Sequence, residues 1–272
     1  MIKNNFSNIS TDVVIDDNVE VGTNVVIKGK GCIKKNAVIG NGVIIDGDFS
    51  IGENSIIDDY TIIRGNVDIG SDNWIYPFCT IGTGPQHLKF PETHSNHFLE
   101  NNGSITIGSN NIIREYTTIH HPTIEKSTIL DSHCYVMAYC HIAHDCKVSN
   151  NVIMANQTTL GGHVEIEKFA NIGLNVSIHQ FSRIGEFAMV GMGSTIVKDV
   201  LPYSLVIDKK FSRINKIGLE RNNISGNDVS EIEKCYHNFE QISNLEKNHY
   251  VEKIQAFIHQ SKRGFYPPQL NQ

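Results

Sequence analysis

Residues 13–84, written in sixes, read VVIDDN VEVGTN VVIKGK GCIKKN AVIGNG VIIDGD FSIGEN SIIDDY TIIRGN VDIGSD NWIYPF CTIGTG. The third place of each six is aliphatic without exception, from Ile15 and Val21 through Ile75 and Ile81. After Gly84 the register breaks, resumes with Ile107, Ile113 and Ile119, slips once more, and then runs from Leu130 to Ile196. An amphipathic helix repeats every 3.6 residues and a meander turns every eight to twelve, so neither accounts for a period of six. Short parallel strands that turn a corner after each inward aliphatic do, three of them making a triangular coil of eighteen residues.

The fold class expected is therefore mainly β, a left-handed parallel β-helix of about nine coils over residues 1–203. That handedness follows known examples of the repeat rather than the usual right-handed crossover. Glycines near the corners (Gly22, Gly40, Gly52, Gly70, Gly108, Gly185), with Asn and Asp beside them, suggest turns of unusual backbone angle. Residues 85–104 are too polar and too long for a corner and are read as an ejected loop; residues 121–129, HPTIEKSTI, are a shorter interruption. Residues 204–272 form a C-terminal helical domain, read as helical from about residue 211, with Asn227 as an N-cap.

A net charge of -6 and the absence of basic runs argue against nucleic-acid binding. No apolar run reaches the length of a bilayer span, and the N-terminal MIKNNFSNIS lacks a signal-peptide core, so a cytoplasmic protein with no membrane insertion is expected. The six cysteines include no CxxC pair, and Cys134, Cys140 and Cys146 share the buried phase of the repeat, which favours free thiols over disulfides or zinc.

An eighteen-residue coil stacks His141 under Thr159 and Ser177, His144 under Gly162 and Gln180, and Asp145 under His163, one strand spacing apart. The segments HIAHDC (141–146), TLGGH (159–163) and SIHQF (177–181) thus meet at one corner. Chance clustering of histidines and a zinc site are both weighed here, and no metal is expected. Ser177 has no nucleophile elbow and Cys146 is in the buried phase. What remains is a general base: His144, with Asp145 fixing its tautomer and the N–H of Gly162 offered to an oxyanion. That combination points to acyl transfer.

MAYCHIAHDC, IMANQTTLGGHVEIEKFANIG and IHQFSRIGEFAMVGMGSTIVKDVLPY resemble the UDP-N-acetylglucosamine acyltransferases of lipid A biosynthesis, over about residues 73–203, with a tail of similar layout. The resemblance implies a homotrimer with sites between subunits, moving a 3-hydroxyacyl chain from acyl carrier protein to the sugar 3-hydroxyl. It implies His144 as base, Asp145 as orienter and Gly162 as oxyanion donor. His141, His163, His179 and Gln180 would line the sugar-nucleotide pocket, and Lys89 would contact the nucleotide sugar. Asn215 and Arg221 would hold the donor or the phosphates. No tightly bound cofactor is implied, only the phosphopantetheine of acyl carrier protein, or coenzyme A, as thioester co-substrate.

There are departures from the family pattern. His87 stands where the family's QDLK loop has its aspartate, His121 and Pro122 replace the arginine and glycine of HRGT, and Glu220, Arg221, Asn222 replace a paired arginine. Leu174 and Met192 occupy places where longer-chain enzymes carry glycine, so the acyl groove is expected to take a short or medium chain. Two other functions remain open: a coenzyme A-dependent N-acyltransferase of a dTDP- or UDP-linked amino-dideoxy sugar, and a non-enzymatic trimeric β-helix scaffold.

Overall fold

The computed structural model describes residues 7–88 and 103–268. Strands of two to four residues follow one another at the six-residue period and wind into a left-handed parallel β-helix of about ten turns. The strands form three sheets. The first runs from Asn8–Ile9 to Thr195–Ile196, the second from Val13–Ile15 to Arg183–Ile184, and the third from Glu20–Val21 past Met189–Val190 to Ser204–Ile207. Ile9 and Val206 extend the aliphatic series at its two ends, which is why the stack exceeds the nine coils counted from the period.

Pairing joins residues eighteen apart, as in Ile45 with Ile63 and Leu160 with Ile178. Each inward aliphatic is all but sealed: Ile33, Ile51, Ile57, Ile75 and Ile142 are 0% exposed. Burying one such side chain is worth about 1.5–3 kcal/mol, so the repeat itself supplies the core.

The corners use the left-handed backbone region, though not at the glycines expected. Asn18, Asn36, Asn54 and Asp72 take φ of 57 to 59°, and their side chains form a ladder, Asn36 Nδ2 donating to Asn54 Oδ1 (3.1 Å) and Asn54 Nδ2 to Asp72 Oδ1 (3.0 Å). Gly22, Gly40, Gly52, Gly70, Gly108 and Gly185 have ordinary φ; a Cβ there would come within 2.4 to 2.8 Å of the next coil. Close approach of stacked backbones, not backbone freedom, requires them.

The ejected loop leaves after Thr80–Thr83, and residues 89–102, Lys89 among them, lie outside the described residues. The second interruption adds five residues to one coil, so that Ile119 pairs with Ile142, twenty-three positions on.

The tail departs from the expected helices at its start. Ser204–Ile207 and Lys210–Ile214 form an antiparallel hairpin, turned by Asp208 and Lys209 at φ 47 and 63°. Helices follow at Lys216–Arg221, Gly226–His237 and His249–His259. The cap of the second is Ser225, whose hydroxyl accepts from the Asp228 N–H, and Asn227 lies inside the first turn. Ile232, Ile254 and Phe257 pack with Phe187 and Tyr203; the Phe187 ring stacks between Phe169 and Tyr203 at the corner between the second and third sheets. Among the described residues no helix is long and apolar enough to cross a membrane, and all six cysteines are free.

Candidate active site

His144 and Asp145 occupy the corner between His141–Ile142 of the first sheet and Lys147–Val148 of the second. Asp145 is the corner residue itself, at φ 61°, a conformation that aspartate tolerates better than bulkier side chains. Both side chains are buried, and His144 Nδ1 lies 2.7 Å from Asp145 Oδ2. With the carboxylate ionised, that nitrogen carries the proton and donates it, leaving Nε2 with its lone pair. Burial alone would push the Asp145 carboxyl up, but hydrogen bonds from His144, Thr123 and the Glu125 N–H outweigh it and hold the group well below the usual carboxylate range.

Gly162 sits one coil above, against the His144 ring: a Cβ there would be 2.4 Å from Cε1 and 2.7 Å from Nε2. Its carbonyl accepts from the Phe181 N–H, while its own N–H donates to no group among the described residues. His144, Gly162, His141, Gln180 and Gln86 line one cavity of about 360 Å³. The three catalytic candidates and two of the sugar-site candidates are therefore together.

His163 also reaches Asp145, its Nε2 3.4 Å from Oδ2, and its ring stacks on Phe181. His87 brings its ring edge to His144 at 5.4 Å between centroids. His141 is bonded through Nδ1 to Thr118 Oγ1 (2.7 Å), and burial holds its imidazole neutral at lower pH than usual. His179 is exposed, and its Nδ1 faces the Gln180 carbonyl at 3.1 Å. Cys146 offers no thiolate, because burial pushes it up to about 12. Ser177 lies 3.1 Å from Thr159 Oγ1, which donates to it.

The remaining candidates lie elsewhere on the chain. Met192, Asn215 and Arg221 line a second groove, of about 1010 Å³, against the third sheet. There Asn215 caps the helix Lys216–Arg221, accepting from Gly218 N–H and donating to the Phe187 carbonyl (2.8 Å). Leu174 and Met192 are exposed corner residues between the third and first sheets. Within one chain these residues do not face His144.

Two residues of the site escaped the reading of the sequence. Thr123 donates its hydroxyl to Asp145 Oδ2, and His120, buried, packs edge-on against His141 at 4.7 Å. Both lie at the five-residue slip, where the eighteen-residue arithmetic stops working; the signal was the slip itself.

His144, Asp145 and His163 place potential ligand atoms within 4.8 Å of one another. The shared oxygen, Asp145 Oδ2, already accepts from both His144 and Thr123. That is a hydrogen-bonded relay, in which a cation would have to displace two protons.

A family model described as UDP-N-acetylglucosamine O-acyltransferase, domain 2, matches residues 199–266. The acyl-[acyl-carrier-protein]–UDP-N-acetylglucosamine O-acyltransferase of Gloeothece citriformis is 35% identical over 203 residues, covering 70% of this chain and 71% of the relative. The protein of the same name from Alkalilimnicola ehrlichii is 34% identical over 203 residues, covering 69% and 76%. Among solved structures, the UDP-N-acetylglucosamine acyltransferase of Francisella novicida superposes with a TM-score of 0.73 at 28% identity, covering 96% of this chain and 94% of that one. LpxA from Acinetobacter baumannii gives 0.75 at 27%, covering 95% and 97%. By sequence over two thirds of its length and by fold over nearly all of it, the chain belongs to the acyl-[acyl-carrier-protein]–UDP-N-acetylglucosamine O-acyltransferase family.

Proposed function

We propose that this chain moves a 3-hydroxyacyl group of short or medium length from acyl carrier protein to the 3-hydroxyl of UDP-N-acetylglucosamine, with His144 as general base. The observation that carries the reading is the His144 imidazole itself: Nδ1 is bound to Asp145 while Nε2 is turned toward Gly162 and the cavity. Nε2 takes the proton of the sugar hydroxyl as its oxygen attacks the thioester carbon. The carbonyl oxygen becomes an oxyanion, stabilised by the Gly162 N–H, and glycine lets the carbonyl approach. The C–S bond then breaks, and the pantetheine sulfur takes the proton from Nε2 and leaves as the thiol, returning His144 to its neutral form. Asp145 stabilises the imidazolium meanwhile.

Acyl carrier protein is the donor named for the relatives, which favours it over coenzyme A. The placement of Asn215, Arg221 and Met192 on a different face from His144 supports a homotrimer, in which one subunit's tail groove completes its neighbour's site. In that arrangement His163, His179, Gln180, His87 and Lys89 hold the sugar nucleotide, and Leu174 and Met192 limit the acyl chain. A cytoplasmic location is part of this reading, and the acyl carrier protein and sugar nucleotide named for the relatives support it.

The alternative, N-acylation of a nucleotide-linked amino sugar, is favoured by the departures from the family pattern at His87 and His121, since an amine needs less deprotonation than an alcohol and such a site tolerates changes around the base. Incubation with UDP-N-acetylglucosamine and a series of 3-hydroxyacyl carrier proteins, followed by mass spectrometry, separates the two. An O-acylated sugar supports the first reading. No product there, with transfer to a dTDP-amino sugar from acyl coenzyme A, supports the second.

A further inference from the structure

The coil that carries His120 does not close after the usual eighteen residues. Five extra residues fold back over the neighbouring corner, and their backbone lies on Asp145. Oδ1 of Asp145 receives three main-chain N–H groups, from Thr123 (2.9 Å), Ile124 (3.1 Å) and Glu125 (2.9 Å). Its own N–H donates to Thr128 Oγ1 at 2.9 Å. One carboxylate oxygen is thus saturated by backbone, and the direction of the other is set.

That second oxygen, Oδ2, faces two imidazoles, His144 Nδ1 at 2.7 Å and His163 Nε2 at 3.4 Å. Only one of them is oriented for catalysis by the bond. The Thr123 hydroxyl donates to the same Oδ2, and its oxygen lies 3.4 Å from His144 Nδ1. Thr123 is 8% exposed, so water does not readily substitute for it. Its single hydroxyl proton goes to the carboxylate, and its lone pair faces the Nδ1 proton, so the hydroxyl occupies one lone pair of Oδ2 and steers the other toward His144.

We propose that Thr123 is a positioning residue for acyl transfer, holding the Asp145 carboxylate so that it pairs with His144 rather than with His163. The proposal rests on His144 being the base. It assigns to the interruption at 121–126 a task in the reaction: the insertion is the clamp on the orienting carboxylate.

The test compares Thr123→Val, Thr123→Ser and His144→Ala in the full-length protein. Steady-state kinetics with 3-hydroxyacyl carrier protein and UDP-N-acetylglucosamine are joined to proton NMR of the ring N–H resonances, and thermal unfolding checks that each variant is folded. Thr123→Val is expected to lower kcat about tenfold to a hundredfold, the size of one hydrogen bond to a charged group, with KM for the sugar unchanged. Its downfield His144 N–H resonance is expected to weaken or vanish, and Thr123→Ser to restore both. A wild-type kcat and resonance in Thr123→Val, beside an inactive His144→Ala, would overturn the role of Thr123 alone. Loss in the serine variant as deep as in the valine one would also overturn it, because the hydroxyl would not be what matters. Full activity in His144→Ala would overturn the general-base reading beneath it.

Discussion

Gly162 lies flat against the imidazole of His144, so close that a single methyl group on its Cα would stand 2.4 Å from Cε1. The ring cannot retreat, because its Nδ1 is tied to Asp145 at 2.7 Å. Glycine at this position is therefore part of the geometry of the proposed base as well as of the path to the Gly162 N–H. Gly162→Ala is expected to lower kcat at least a hundredfold while the coil remains folded, since the substitution points into the site rather than into the core. Circular dichroism and a single-turnover assay on the same preparation check both halves.

Most of this corner is legible in the eighteen-residue spacing of the sequence. Residues eighteen apart pair throughout the upper stack, so HIAHDC, TLGGH and SIHQF were bound to meet. The same arithmetic failed where the chain inserts five residues, and that is where Thr123 and His120 enter the site. The start of the tail failed for another reason. Asp208-Lys209 is a hairpin turn without the usual Asn-Gly signature, and the strand Lys210–Ile214 alternates too briefly to be told from a helix. Asn227 lost the cap to Ser225 because the Ser-x-x-Asp spacing places the acceptor two residues earlier. The separation of Asn215, Arg221 and Met192 from His144 could not be read from spacing at all, since it depends on which face of the triangle the tail covers.

Acid is expected to destabilise the fold in two steps of the same sign. Burial, followed by repulsion from His141 and His144, lowers His120 from 6.5 to about 4. The unfolded chain then binds a proton between those values that the folded chain refuses, so stability falls as pH drops through this window, by at most about 1.4 kcal/mol per pH unit for this group. Asp145, held below the ordinary carboxylate range, contributes stability above about pH 4 that is lost as pH falls further. Urea unfolding from pH 7 to 4 should show the first slope, to which His121, His141 and His163, each lowered by burial, add with the same sign, so His120→Gln should reduce it rather than abolish it. An unchanged slope in that variant would mean that another group titrates there.

The asparagine ladder makes a prediction about stability alone. Asn54 holds φ 57°, accepts from Asn36 and donates to Asp72. Asn54→Val places a β-branched side chain in the left-handed region and removes both bonds. The strain costs about 1–2 kcal/mol and the two exposed hydrogen bonds about 0.5–1 kcal/mol each, so a loss of roughly 2–4 kcal/mol is expected in denaturant unfolding, with kcat unaltered. Asn54→Gly, which relieves the strain but not the lost bonds, is expected to fall between the two.

Chain-length selection is where the proposed groove is most open to test. Met192 is 72% exposed in the single chain and lines the groove that also holds Asn215 and Arg221, whereas Leu174, 45% exposed, occupies the corner one coil below and is not part of that lining. If the groove receives the acyl chain in a trimer, removing the Met192 side chain lengthens it by several carbon atoms. Each buried methylene is worth about 0.8 kcal/mol, so two more carbons in the favoured donor correspond to a shift in kcat/KM of roughly tenfold. Met192→Gly is expected to move the preferred 3-hydroxyacyl carrier protein to a longer chain at unchanged KM for the sugar, and Leu174→Gly to move it less. Competition between donors of different length in one reaction, read by mass spectrometry of the acylated sugar, measures the shift directly. An identical product distribution in wild type and Met192→Gly would remove Met192 from the acyl groove and leave it a surface residue at a corner of the β-helix.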